Sequence, residues 1–144
     1  MSMNPENKCA QLMSQETKEL SLKEMFDMQL SLQNNMLARG KGIDYINGSF
    51  ASKVNELKIQ KINFDSEFVE LLERLPWKPW RTYTPEQLAG WTSEEQMLET
   101  KFEYVDLLHF FMNIGLLIGI TPEELSRMYY LKNKENFDRQ ERGY

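Results

Sequence analysis

The chain has 144 residues, of which 41% are hydrophobic and 27% charged, and its net charge at pH 7 is −5. This length and apolar content suit one ordinary domain with its own core. The negative balance excludes the broad basic face that general nucleic-acid binding requires. If the ligand is an anion, a metal ion or a local basic cluster must overcome the overall field.

The cysteine content and the N-terminal residues indicate a cytoplasmic protein. The single cysteine, Cys9, has no partner for an internal disulfide, which favours a reducing compartment. The first eight residues lack the apolar core of a signal peptide. The longest apolar run, residues 107–120, is interrupted by His109 and Asn113 and is too short to span a bilayer. We therefore expect no membrane partner.

The polar residues 1–19 are predicted to form a flexible segment, in which a short helix is possible. Residues 20–144 are predicted to form a single domain. A first long helix begins near residue 20, because methionines and leucines recur there at steps of three and four. Glycines at positions 40 and 42 end it. Gln29 and Gln33 are interpreted as flanking residues of its apolar stripe.

A second helix is predicted over residues 50–75, although residues 57–64 also show some strand-like alternation. Pro76 ends it. Residues 76–92 then form a connection in which prolines and a glycine make a regular element unexpected. Its aromatic and basic residues Trp77, Lys78 and Trp80 could cover a nucleotide base or sugar, or pack as a plug. The residues alone favour the plug.

Two further helices complete the predicted fold. One is capped by Thr92 or Ser93 and runs to about residue 119, and the last starts with Thr121 as cap and Pro122 in the first position. With no convincing strand pair, the pattern predicts an all-α bundle of four to five helices. The helix before Thr121 is apolar on nearly all sides near its end, which favours a homodimer that covers it.

Two pairs of acids occupy helix faces where apolar residues would be expected. Glu67 and Glu70 lie on the second helix, and Glu103 and Asp106 on the third, each pair three residues apart and therefore on one face. Facing helices would bring the four carboxylates together. The alternative is two solvated acidic faces, which are common in a chain with 22 acids.

A site built from carboxylates favours a hard cation such as Mg²⁺, with Mn²⁺ as a possible substitute. Di-iron bundles need two Glu-x-x-His pairs, and zinc sites need histidines or cysteines. This chain has one histidine, His109, and it is interpreted as a hydrogen-bonding residue of the core. The last helix places Lys132, Asn136 and Arg139 on one stripe. Such donors beside a bound Mg²⁺ indicate a phosphate ester as substrate.

The two acid pairs, together with the closing motif Lys132-x-x-x-Asn136-x-x-Arg139-Gln-x-x-Gly-Tyr144, carry a family resemblance. The chain resembles the all-α, MazG-like nucleoside triphosphate pyrophosphohydrolases, and within them the dimeric dUTPases and the bacteriophage enzymes that also act on dCTP. The resemblance covers residues 22–36 and 63–144. It implies a Mg²⁺-dependent homodimer that hydrolyses a pyrimidine deoxynucleoside triphosphate, dCTP or dUTP, to the monophosphate and pyrophosphate.

By position, the resemblance also implies roles for individual residues. The metal ligands would be Glu67, Glu70, Glu103 and Asp106. Glu67 or Glu70 would in addition orient or deprotonate the attacking water. The phosphate-binding residues would be Lys132, Asn136, Arg139 and Tyr144. The residues near the base or sugar would be Gln29, Gln33, Trp77, Lys78 and Trp80.

Two features depart from the dimeric dUTPases. Gln33 stands where they tend to carry asparagine, and an amide can turn to serve either uracil or cytosine. The insertions that elaborate their mobile domain are missing from this chain. Two other functions stay open at this point. One is a house-cleaning pyrophosphatase for non-standard nucleotides, and the other is a non-catalytic helical protein that interacts with a partner or senses nucleotides.

Overall fold

A computed structural model describes residues 5–143, which form six α-helices and no strand. The bounds of the helices are α1 Pro5–Met13, α2 Leu22–Ala38, α3 Phe50–Glu73, α4 Pro85–Ala89, α5 Glu94–Ile118 and α6 Pro122–Glu141. The predicted all-α fold is confirmed. The described residues hold more helices than the four to five predicted, because α1 and α4 are short elements that weak periodicity does not reveal.

The four long helices lie where the sequence patterns predict them, and local hydrogen bonds explain their starts. At α2, Ser21 Oγ accepts from the backbone N–H of Glu24 at 3.1 Å, and the Glu24 carboxylate accepts from the Ser21 N–H at 3.2 Å. At α6, Thr121 Oγ1 accepts from the Glu124 N–H at 3.1 Å. The strand-like alternation in residues 57–64 does not interrupt α3.

The connection after α3 contains a regular element that the sequence did not predict. The short helix α4 starts at a capping box in which Thr84 and Gln87 exchange two hydrogen bonds of 3.2 and 2.8 Å, with Pro85 in the first position. These local bonds offset the helix-breaking residues on either side. At the N-terminus, the possible short helix is present as α1, and the flexibility of residues 1–19 stays a prediction.

The described chain divides into two compact units. The first comprises residues 5–19 and 58–111, with α1, most of α3, α4 and the larger part of α5. The second comprises residues 20–57 and 112–143, with α2, the start of α3, the end of α5, and α6. A single domain over residues 20–144 stays a prediction.

The core of the second unit is built around two buried aromatic side chains. Phe26 of α2 is 3% exposed and packs so closely on Gly115 of α5 that an added Cβ there would lie 3.2 Å from its ring. Tyr45, in the connection after α2, is 1% exposed. Its hydroxyl donates to Glu56 Oε1 at 3.3 Å, and burial, followed by the Glu56 charge, raises the pKa of Tyr45 above its usual range. This connection therefore supplies part of the core.

The length and apolarity of each single helix fall short of what a membrane crossing needs, within the part of the chain that the structure describes. The pair Glu94–Ile118 and Pro122–Glu141 meets the requirement only when taken together, and it is bent by 103°.

We expect Tyr45→Ala to lower the free energy of unfolding by about 3–5 kcal/mol, because it removes a buried ring and leaves a cavity. The adjacent Ile46 is 53% exposed, so Ile46→Ala should cost less than about 1 kcal/mol. Urea unfolding followed by circular dichroism measures both. Equal losses would show that the connection does not contribute to the core in solution.

Candidate metal centre

Three carboxylates from α3 and α5 meet in the first unit. Glu67 and Glu70 of α3 and Glu103 of α5 each offer one carboxylate oxygen, and these oxygens all lie within 4.8 Å of one another. The three-residue spacing in α3 sets the first two on adjacent rows of the helix, and α5 supplies the third. The structure thus brings together three of the four residues predicted as metal ligands.

The cluster, defined here as Glu67, Glu70 and Glu103, contains oxygens that need a positive partner. Glu67 and Glu103 are partly buried, and Oε2 of each is buried without a hydrogen-bond partner. A buried carboxylate oxygen that accepts no hydrogen bond costs free energy. Several carboxylate oxygens around one point match the ligand preference of Mg²⁺ and Mn²⁺. The residues present therefore fit a hard divalent cation.

Without a cation, a proton can take its place in the cluster. Burial, the negative charge of Glu70 and a hydrogen bond with Glu103 together raise the pKa of Glu67 to about 7. The protonated form of Glu67 can donate to Glu103, which relieves the repulsion between the two side chains. A pKa of about 7 is that of a group which takes up or releases a proton near neutral pH.

Asp106, the fourth predicted ligand, does not belong to the cluster. Partial burial raises its pKa, Glu70 raises it further, and His109 acts in the opposite direction. Asp106 is thus within electrostatic reach of Glu70, and its role as a ligand stays a prediction. The interpretation of His109 as a core residue is wrong, because α5 presents its side chain on an exposed face of the helix.

An arginine that the sequence analysis did not single out contacts the cluster. Arg74 Nη2 lies 3.4 Å from Glu103 Oε1, and Nη1 of the same guanidinium lies 2.8 Å from Glu99 Oε2. The side chains of Glu99 and Glu103 are only 11% and 13% exposed. The available signal was spacing: Arg74 follows Glu70 by four residues and Glu99 precedes Glu103 by four, so each lies one turn from a cluster residue.

Three amide side chains form a buried network in the second unit. Asn113 Oδ1 accepts from Gln29 Nε2 at 2.7 Å and from Gln33 Nε2 at 3.2 Å. The residues are 2%, 3% and 7% exposed, respectively. The interpretation of both glutamines as flanking residues is wrong, because α2 turns them inward. Asn113 was not predicted as a site residue, although a lone amide inside an apolar run is the signal that marks it.

The aromatic loop after α3 belongs to the first unit. The rings of Trp77 and Trp80 meet edge to face with centroids 5.5 Å apart, and Trp80 is 70% exposed. The prediction of a packing plug is therefore wrong for Trp80, because most of its side chain is exposed to solvent. Lys78 Nζ lies 3.1 Å from Glu73 Oε2 and 6.0 Å from the Trp77 ring centre. Lys78 and Arg81 also line a cavity of about 220 Å³, so the loop offers both ring faces and cations.

The predicted phosphate-binding residues lie on α6, in the second unit. Lys132 and Asn136 are exposed and one helical turn apart. Arg139 Nε lies 3.4 Å from Glu135 Oε1. Tyr144, the fourth residue predicted to bind phosphate, lies outside the described residues. Lys132 and Asn136 are thus accessible, and Arg139 pairs with Glu135 on the same helix.

The thiol of Cys9 on α1 lies in the electrostatic field of the first unit. Burial raises its pKa, and Glu99 raises it further, while Arg74 lowers it. A thiol held in its protonated form is a poor metal ligand. Cys9 therefore does not alter the preference of the cluster for a hard cation.

Comparison with known proteins supports the family resemblance found in the sequence. A family model described as dUTPase matches residues 21–123. The chain is 39% identical over 106 residues to a dCTP pyrophosphatase of Enterobacteria phage T4, an alignment that covers 63% of this chain and 62% of the phage protein. It is 48% identical over 71 residues to a dCTP pyrophosphatase of Enterobacteria phage LZ5, covering 47% and 41% of the two chains.

A third relative is a DNA replication protein of Enterobacteria phage T4, 36% identical over 96 residues, which cover 56% of this chain and 24% of that protein. The chain thus spans less than two thirds of the length of each of these relatives. No solved structure matches the chain.

We expect the cluster to bind Mn²⁺ more weakly at pH 6 than at pH 8. Below a pKa of about 7, the cation must displace the proton held by Glu67, so the affinity falls by up to about tenfold per pH unit. Isothermal titration calorimetry in two buffers of different ionisation enthalpy counts the protons released.

About one proton should be released per cation at pH 6 and almost none at pH 8.5, and Glu67→Gln should abolish the release. The control is Asp65→Asn, which changes an exposed acid of α3 that pairs with Lys61 and should leave proton release unchanged. Release independent of pH would contradict the assignment of the proton to Glu67.

Proposed function

We propose that this chain, which belongs to the dUTPase family, hydrolyses dCTP and dUTP to the monophosphates and pyrophosphate in a Mg²⁺-dependent reaction. The cluster carries the proposal, because two buried and unpartnered carboxylate oxygens indicate a site built for a cation. The names of the two phage pyrophosphatases support dCTP as a substrate, and the family supports dUTP.

The carboxylates would divide the work of the reaction. The cation, when bound, neutralises charge on the triphosphate and acidifies a coordinated water. Glu103 would hold the cation from α5, with Asp106 as a further ligand. Glu67 and Glu70 would hold it from α3, and one of them would orient the attacking water and accept its proton. A pKa of about 7 suits Glu67 to accept a proton from the attacking water near neutral pH.

Basic groups would bind the triphosphate. Lys132 and Asn136 offer exposed donors to phosphate oxygens, and Arg139 would exchange Glu135 for a phosphate. Tyr144 completes the predicted set by position in the motif. In the first unit, Lys78 and the exposed ring of Trp80 supply the charge and the aromatic face for a nucleotide sugar or base.

The amide network would read the base, in keeping with the roles that the resemblance gives to Gln29 and Gln33. In the structure both glutamines donate to Asn113 Oδ1, and a glutamine whose oxygen faces the base suits the 4-amino group of cytosine. If all three amides turn, Asn113 donates and the glutamines present N–H groups, which suit the 4-oxygen of uracil. The coupled amides therefore support activity on both nucleotides.

Assembly and location are part of the same proposal. Large apolar side chains remain exposed on both long helices α3 and α5, including Ile62 at 64%, Phe111 at 49% and Ile118 at 63%. A homodimer that covers such side chains would remove apolar surface from water. A phage-encoded enzyme of nucleotide metabolism would act in the cytoplasm of the host cell.

A nucleotide panel tests the activity directly. We expect one pyrophosphate and one monophosphate per dCTP or dUTP in the presence of Mg²⁺, with no turnover after chelation. Preference for oxidised or otherwise modified nucleotides over both would instead support a house-cleaning pyrophosphatase. No cleavage of any nucleotide would leave a helical binding protein as the better description.

Neutralising the cluster should abolish turnover while the fold persists. We expect Glu70→Gln and Glu103→Gln to reduce kcat by at least about 100-fold, because each removes a ligand charge. Glu67→Gln should do the same and also raise the Tm of the metal-free protein at pH 8, since the amide copies the protonated form that the burial of Glu67 favours.

Asp65→Asn is the matched control on α3, since Asp65 is exposed and pairs with Lys61. Its kcat should stay within about twofold of the parent. Unchanged turnover in the cluster variants would show that the acids serve solubility alone.

Locking the amide network should change base preference. Asn113→Asp keeps the shape of the side chain but, when ionised, only accepts hydrogen bonds, so it holds both glutamines in the orientation in which they donate to it. At pH 8, we expect the ratio of kcat/KM for dCTP to that for dUTP to rise about tenfold.

Asn113→Leu removes the coupling and should lower both activities with little change in their ratio. A ratio that is identical in the parent and in Asn113→Asp would contradict a role of the network in reading the base.

A further inference from the structure

One guanidinium in the first unit contacts both a residue of the cluster and an acid outside it. Arg74 reaches Glu103 Oε1 at 3.4 Å and Glu99 Oε2 at 2.8 Å through its two terminal nitrogens. The backbone carbonyl of Arg74 accepts from Gln96 Nε2 at 2.8 Å, which ties the end of α3 to the start of α5. Arg74 is therefore held both at its backbone carbonyl and at its guanidinium group.

The two oxygens of Glu103 are in different environments. Oε1 accepts from Arg74, whereas Oε2 is buried and has no hydrogen-bond partner. A planar guanidinium with two nitrogens engaged constrains the plane of the carboxylate that it contacts. Arg74 thus holds Glu103 by Oε1 and leaves Oε2, which has no hydrogen-bond partner, for a cation.

The position of Glu99 resolves the charge problem that such an arginine creates. A cation beside the cluster would repel an unpaired guanidinium, and this would weaken metal binding. The shorter contact of Arg74 is to Glu99, whose side chain is 11% exposed, so Glu99 offsets part of the guanidinium charge. The pair can then orient Glu103 while offsetting less of the negative charge of the cluster.

We propose that Arg74 and Glu99 form a positioning pair that orients Glu103 for divalent-cation binding. Neither residue belongs to the cluster itself. Outer partners of this kind commonly change metal affinity by 10- to 100-fold when they are removed. This inference rests on the proposed function only in that the cluster binds a divalent cation, and it does not depend on which nucleotide is cleaved.

The test measures Mn²⁺ affinity and turnover separately. Arg74→Gln should weaken Mn²⁺ binding about 10- to 100-fold at pH 8, as measured from free Mn²⁺ by electron paramagnetic resonance. At saturating Mn²⁺, kcat for dCTP should return to within about threefold of the parent. Arg74→Lys keeps the charge but cannot contact both acids in the same way, so its affinity should lie between those of Arg74→Gln and the parent.

Glu99→Gln should also weaken Mn²⁺ binding, because the charge of Arg74 is then no longer offset by Glu99 and opposes the binding of a cation beside Glu103. The double variant Arg74→Gln with Glu99→Gln should bind no more weakly than Arg74→Gln alone, since the two residues act as a unit. Lys61→Gln is the matched control on α3, because Lys61 pairs with the exposed Asp65 and should leave the affinity within twofold.

Mn²⁺ binding as tight or tighter in Arg74→Gln would overturn the inference, because Arg74 would then compete with the cation. Additive losses in the double variant would overturn it as well. If circular dichroism shows that Arg74→Gln does not fold, the single variants Arg74→Lys and Glu99→Gln replace it. Each of them should then bind Mn²⁺ more weakly than the parent, and affinities equal to that of the parent would overturn the inference. A parent protein that binds Mn²⁺ but cleaves neither dCTP nor dUTP would contradict the proposed function and leave the positioning test intact.

Discussion

The repulsion between partly buried carboxylates is the constraint on which the first unit depends. Glu67, Glu70 and Glu103 place oxygens within 4.8 Å of one another, and two oxygens of the group accept no hydrogen bond. Such an arrangement is unfavourable unless a proton or a cation occupies it. Burial, the charge of Glu70 and a hydrogen bond with Glu103 raise the pKa of Glu67 to about 7, the direction expected where a proton relieves this repulsion. A bound divalent cation would relieve the same repulsion.

The scaffold supports the cluster through long helices and local ion pairs. Helices α3 and α5 hold their acids in fixed register, because each carries two or three at spacings of three or four residues. Arg74 and Glu99 extend this order outward from Glu103. In the second unit, an uncharged version of the same principle holds the amides of Gln29, Gln33 and Asn113. Both units therefore fix polar side chains by hydrogen bonds or ion pairs within the fold.

Much of the fold followed from the sequence, because helix caps and apolar periodicity are local signals. Ser21 and Thr121 start helices where their side chains accept backbone hydrogen bonds. The acid pairs were also readable, since a three-residue spacing fixes a helix face. Arg74 and the burial of Gln29 were not, because they depend on which helices pack together. The helix α4 was missed because its capping box competes with the prolines and glycine around it. Tyr45 was missed because connections are normally exposed.

Anomalous X-ray scattering from crystals grown with Mn²⁺ at pH 8 would locate a divalent cation held by Glu67, Glu70 and Glu103. We expect an anomalous peak within coordination distance of all three carboxylates, and its loss in crystals of Glu103→Gln. A peak at other residues, or ordered carboxylates with no peak among them, would contradict this expectation.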